Sequence, residues 1–210
     1  MNARCTAPTL QQDGAIHIGT VRALANWSGA FAGLLLILSG GLIQAALPMW
    51  GVSGLTVLPL PMTLQVPALL LTALVCGPRA AMLAGMAYLS LGLFELPVFH
   101  AGGGLSYLLD PGFGYLAGFL PAAWVTGRLS RQPGMDHLLN LTAAALIGLG
   151  VLQLSGIANL LLGGVVGRWN GALPQLLLSY SFGPLLPQVM LCCAVAVLAL
   201  PLRRLLLVDS

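Results

Sequence analysis

Few side chains in this chain can do chemistry, and those that can cluster between its apolar runs. The 210 residues hold five acids, eight arginines and three histidines. Thr63, Gln65, Tyr88, Tyr107, Asn170 and Gln188 offer neutral hydrogen-bonding groups, and Asp110 offers a carboxylate. Gly102, Gly103 and Gly104 offer backbone amides unscreened by side chains, and Arg168 a cation. Ligand pockets combine apolar walls with a few placed polar groups, so this set suits binding a small amphipathic molecule, neutral or singly charged. Asp110, beside Pro111 and Gly112, either caps the helix that follows or accepts hydrogen bonds from a ligand. Arg168 either pairs with a ligand carboxylate or sits among lipid headgroups.

Covalent chemistry has less support. A serine nucleophile needs a base within hydrogen-bond reach, and the Ser-Gly pairs at Ser28, Ser39, Ser53 and Ser155 have no histidine on an adjacent apolar run. His17, His100 and His137 fall in three different connecting segments and build no common metal site. No catalytic residue, metal or cofactor is assigned, and an intramembrane hydrolase is the weakest of the readings.

The elements that position these groups are dictated by composition. Hydrophobic residues make up 58% of the chain and charged residues 6%, with mean hydropathy +0.95, against about 25% charged in a soluble domain. The protein is read as an all-α integral membrane protein with six spans: Leu24 to Ala46, Leu64 to Cys76, Ala80 to Leu96, Phe113 to Gly127, Leu138 to Leu162, and Leu176 to Leu200. Residues 1–22 read as a polar tail, 23–205 as one six-helix domain and 206–210 as a second tail. Seven arginines fall on one side of these spans and Arg168 alone on the other, so the positive-inside rule makes both termini cytoplasmic. The outer face then collects the segment before Thr63, the Gly92 to Phe119 loop and the segment around Trp169. Irregular backbone at membrane depth persists only where protein or a watery cavity satisfies it, so these segments are expected to line a pocket. Trp50 and Trp169 read as members of an interfacial aromatic belt. On the first span, Ala25, Gly29 and Gly33 recur every four residues, with Ser28 and Ala32 on a neighbouring stripe; such spacing allows close helix approach, for internal packing or for a partner.

The wording of the outer segments resembles a known family. Pro61, Thr63 and Gln65 in PMTLQ, then Cys76-Gly77-Pro78, Tyr88, Leu91-Gly92, LPVFHAGGG and PGFGYLAGF are similar to the BioY family, the biotin-specific substrate-binding (S) components of energy-coupling factor (ECF) transporters. The resemblance runs from about Leu58 to Gly127. It implies a six-helix S-component fold in a prokaryotic plasma membrane, with biotin taken from outside. It also implies partnership with a transmembrane coupling protein and two cytoplasmic ATPases, the Ala25, Gly29 and Gly33 stripe being a surface for the coupling protein. A self-contained secondary transporter of biotin or a related vitamin is the alternative, and a homo-oligomer is left open. For biotin, Asp110 or a side-chain carbonyl is expected to take the ureido N–H groups, with Tyr107 or the Gly102 to Gly104 amides on the carbonyl or carboxylate. One departure stands out: many family members carry an Asp and, three residues on, a Lys near the start of the last helix, whereas PLLPQVMLC has neither. Gln188 or Asn170 is expected to supply the missing polar contacts.

Overall fold

In a computed structural model, residues 9–51, 54–94, 99, 103–169 and 173–206 are described, with backbone alone for 9–19, 46–51 and 54–61. Among the residues singled out above, Ser53, His100, Gly102 and Asn170 lie outside the described residues. So do the side chains of His17 and Trp50.

The elements run α1 (Thr9–Leu42), β1 (Gln44–Gly51), β2 (Gly54–Thr63), α2 (Gln65–Cys76), α3 (Pro78–Leu93), a 3-10 turn (Leu105–Leu109), α4 (Phe113–Ala117), α5 (Phe119–Leu129), α6 (Leu138–Val165), α7 (Leu173–Leu177), a π-type turn (Leu178–Phe182) and α8 (Gly183–Leu205). Among the described residues three helical stretches are long and apolar enough to cross a membrane, Thr20–Leu42, Leu138–Val165 and Leu173–Leu205. The 12-residue α2 is only about 18 Å long at 1.5 Å per residue, well short of a hydrocarbon core about 30 Å thick.

Three expectations need correction. The fold is not purely helical: the segment after α1 forms an antiparallel hairpin in which Gln44 pairs with Thr63 and Trp50 with Leu55. Trp50, Thr56, Val57 and Thr63 are residue types that favour strands, and Pro59 and Pro61 are tolerated because every strand of a two-stranded sheet is an edge. The first helix therefore stops at Leu42 rather than Ala46. Its last turn closes against the start of α2, where the Leu64 N–H donates to the Gly40 carbonyl at 2.9 Å, and a Cβ on Gly40 would lie 2.8 Å from the Leu64 carbonyl oxygen. Second, α1 begins at Thr9, so much of the expected polar tail is helical; its sequence lacks proline from Thr9 onward and contains Ala15, Ile16 and Ile18. Third, the expected fourth span is two helices meeting at Gly118.

Among the described residues two large clusters make most of the core, beside a small third one at Ala45 and Met62. One joins α1, α2, α3 and α5 through Ile37, Leu69, Ala84, Tyr88 and Phe119. The other joins α2, α6 and α8 through Leu70, Leu74, Leu141, Leu149 and Val195. The α1 glycines serve this packing: a Cβ at Gly29 would meet Cys76 at 3.1 Å and Ala80 at 3.4 Å, and one at Gly33 would meet Ala84 at 3.2 Å. Gly29 and Gly33 thus face α2 and α3, while Ala25, Ser28 and Ala32 form the exposed small-residue face of α1.

Candidate ligand cavity

A cavity of about 260 Å³ opens where β2, α2, the 3-10 turn, α4, α6 and α8 converge. Its apolar wall includes Val66, Leu116, Phe119 and Leu152, and its polar groups come from Thr63, Gln65, Tyr107, Asp110, Tyr115, Ser179, Tyr180 and Gln188. Five of the residues picked from sequence therefore line one space: Thr63, Gln65, Tyr107, Asp110 and Gln188.

Each is placed by an identifiable local cause. The hairpin register delivers Thr63 to the rim, one residue before α2 opens with Gln65. Gln65 donates from Nε2 to the Tyr88 hydroxyl at 2.7 Å. Tyr88 is fully buried and packs edge-on to Phe99 and stacked with Phe119, so it supports the cavity from behind rather than lining it. Phe99 in turn packs on Tyr107, ring centroids 4.7 Å apart. Gly92 admits the Phe99 ring, because any Cβ there would overlap it.

Asp110 does cap, in a turn. One carboxylate oxygen accepts the Gly112 N–H at 2.7 Å, fixing the entry to α4. Nearby, burial and then the charges of Asp110 and Tyr180 push the Tyr107 phenol up to about 12. Tyr107 is therefore a protonated hydrogen-bond donor at neutral pH.

The far wall was not legible in sequence. Pro184 and Pro187 remove two N–H groups from the start of α8, and the chain ahead of them widens into the π-type turn. Widened turns of this kind recur at functional sites; here the turn carries Ser179 and Tyr180 to the cavity and brings the Ser181 hydroxyl to that of Tyr115. Beneath, Gln153 Nε2 donates to Gln188 Oε1 at 2.6 Å, with the two residues 7% and 8% exposed. Asn159 donates to the Pro111 carbonyl at 3.3 Å and steadies the α4 entry. Proline flanking was the sequence signal for the turn; Gln153, a lone amide in an apolar run, was the signal for the pair.

Several expected contributors sit elsewhere. The Gly104 N–H is committed to the Gly92 carbonyl at 2.8 Å, and Gly104 holds φ +96, a left-handed value glycine adopts freely. Its role is to turn the loop, and neither Gly103 nor Gly104 lines the cavity. Arg168 is exposed in the turn after α6, outside the lining. Trp169 folds back on α6, donating from Nε1 to the Leu160 carbonyl at 3.0 Å. Among the described residues no group of three metal-ligating side chains forms.

Apolar helices around a lined, partly polar cavity define an integral membrane protein. The chain belongs to the BioY family, whose model matches residues 19–207. It is 40% identical over 93 residues to the probable biotin transporter BioY of Lysinibacillus sphaericus, covering 44% of this chain and 47% of that one. It is 37% identical over 100 residues to the biotin transporter BioY of Thermotoga maritima, covering 47% and 58%. The chain thus spans about half the length of the curated relatives it matches. Its fold is similar to the crystal structure of the S-component for biotin from an ECF-type ABC transporter, with TM-score 0.62 over 94% of this chain and 95% of that one, at 19% identity.

Proposed function

We propose that this protein is a biotin-binding S-component that mediates biotin uptake, with energy supplied by a coupling protein and ATPases. The observation that carries the reading is the convergence of Thr63, Gln65, Tyr107, Asp110 and Gln188 on one cavity in a chain of the BioY family. Phe119, Leu116 and Leu152 offer apolar surface to the thiophane ring. The ureido N–H groups donate to the remaining Asp110 oxygen, and the Tyr107 phenol donates to the ureido carbonyl. The lining holds no arginine, so the valerate carboxylate is met by neutral donors: the Gln188 amide, held by Gln153, and the Tyr180 hydroxyl. That neutral set stands in for the Asp and Lys pair expected on the last helix.

In this reading the six helical passes are α1, α2, α3, α4 with α5, α6, and α7 with α8, with both termini cytoplasmic. The arginine distribution supports that orientation. In that orientation the short α2 leaves depth at the outer face for the hairpin and the cavity.

The deciding measurement is biotin affinity of the purified protein in detergent or nanodiscs, beside dethiobiotin and lipoate. Saturable binding that prefers biotin is expected; its absence overturns the proposal. Labelled biotin uptake in cells with and without the coupling ATPases then separates an energised subunit from a self-contained carrier.

A further inference from the structure

A second cavity, of about 680 Å³, lies at the other end of α2. Gln65 opens α2 at the first cavity, and Cys76 closes it at the second. Three guanidinium groups from separate elements line this space: Arg22 on α1, Arg79 on the first turn of α3 and Arg131 after α5. Among the described residues no carboxylate lines it. Like charges gathered on one space repel, and an anion joining them relieves that cost.

Arg131 lies over the turn between α2 and α3. Its guanidinium lies against Gly77, where a Cβ would approach Nε and Nη2 at 2.8 Å, and Gly77 adopts φ +87. A side chain at position 77 would be strained and would displace the cation from that place. Arg203 provides the contrast, since it donates from Nη1 to the Leu74 and Ser130 carbonyls at 3.0 and 2.8 Å and is almost fully buried. One arginine on this end is spent on backbone carbonyls, whereas three converge on an open space.

The rest of the lining is small and largely apolar: Ala25, Gly29, Ala32 and Val75, with Asn26 and Ser28 as neutral polar groups. Beyond it α1 exposes Leu24, Trp27, Phe31 and Leu35. We propose that this cavity binds the phosphate headgroup of an anionic phospholipid, with the acyl chains lying along the exposed apolar face of α1. Guanidinium groups suit phosphate because their forked N–H groups match its oxygens. The apolar floor distinguishes a lipid, which brings its own hydrocarbon, from a soluble phosphate. An acidic segment of a partner protein is the competing occupant, and the adjoining apolar face favours the lipid.

The test compares thermal unfolding of the purified protein in nanodiscs of phosphatidylcholine alone and with phosphatidylglycerol, with native mass spectrometry to count retained lipid. Wild type is expected to gain about 3 °C or more from phosphatidylglycerol and to retain a bound molecule. R22Q/R79Q, which alters two exposed side chains, should lose both; R131Q should lose them too if it folds. R128Q removes the same charge outside the cavity and should keep both. Inorganic phosphate should not reproduce the shift. Equal stabilisation by the two lipids, an unchanged response in R22Q/R79Q, or a loss confined to partner-dependent uptake would each overturn the lipid assignment.

Discussion

Gln153 on α6 donates its side-chain amide to the Gln188 carbonyl oxygen on α8 at 2.6 Å, locking two helices together beneath the first cavity. The bond uses the Gln188 oxygen and leaves its N–H groups for the cavity. Removing one partner strands a buried amide, which costs about 1–3 kcal/mol, whereas replacing both with apolar groups of similar shape is nearly neutral. Q153L and Q188L should therefore each lower the unfolding temperature, and Q153L/Q188L should recover most of the loss. Biotin affinity should fall at least about tenfold, worth about 1.4 kcal/mol, in all three. A double mutant that regains affinity along with stability would remove Gln188 from the ligand site.

The Gln65 to Tyr88 bond predicts a different pattern. Tyr88 does not line the cavity, so Y88F keeps the ring packing on Phe99 and Phe119 and removes the acceptor that orients Gln65. Expect a loss of about 1 kcal/mol in stability together with weaker biotin binding, measured by unfolding and calorimetry on the same sample. Unchanged affinity would mean that Gln65 needs no orienting.

Two glycines should respond with opposite sign. At Gly127 a Cβ would lie 2.5 Å from the Pro78 backbone, which has no freedom to withdraw, so G127A should cost about 1–3 kcal/mol. At exposed Gly150 in α6 nothing lies within 4 Å of a Cβ, so G150A should gain about 0.5–1 kcal/mol from reduced unfolded-chain freedom and better helix propensity. Thermal unfolding of the pair is the check.

Tyr107 predicts a pH response at the alkaline end. Its phenol is raised above the usual value of about 10 to about 12, so the fold favours the protonated form. The associated stability is fully present below about pH 10 and is lost as pH rises toward 12. Y107F should match wild type in slope up to about pH 9 and fall less steeply above it, read as unfolding temperature against pH. Parallel curves throughout would show that Tyr107 ionisation is not linked to folding.

By itself the sequence determined the membrane class, the family and the approximate places of the helices, because hydropathy and motif wording are local properties. It also marked Thr63, Gln65, Tyr107, Asp110 and Gln188, since polar groups beside irregular segments of an apolar chain are conspicuous. Tertiary structure decided what each group meets. The hairpin was hidden because Gln44 to Thr63 is apolar enough to pass for helix and loop, and strand pairing joins residues distant in sequence. Gln153 and Tyr115 gain their partners Gln188 and Ser181 only where α6 meets α8 and α4 meets the π-type turn. Arg168 and Gly104 looked available until the turn after α6 left one outside the cavity and Gly92 took the amide of the other. Spacing along a helix says which residues share a face, but only packing says whether that face meets a neighbour, as Gly29 and Gly33 do, or remains open, as Ala25 and Ala32 do.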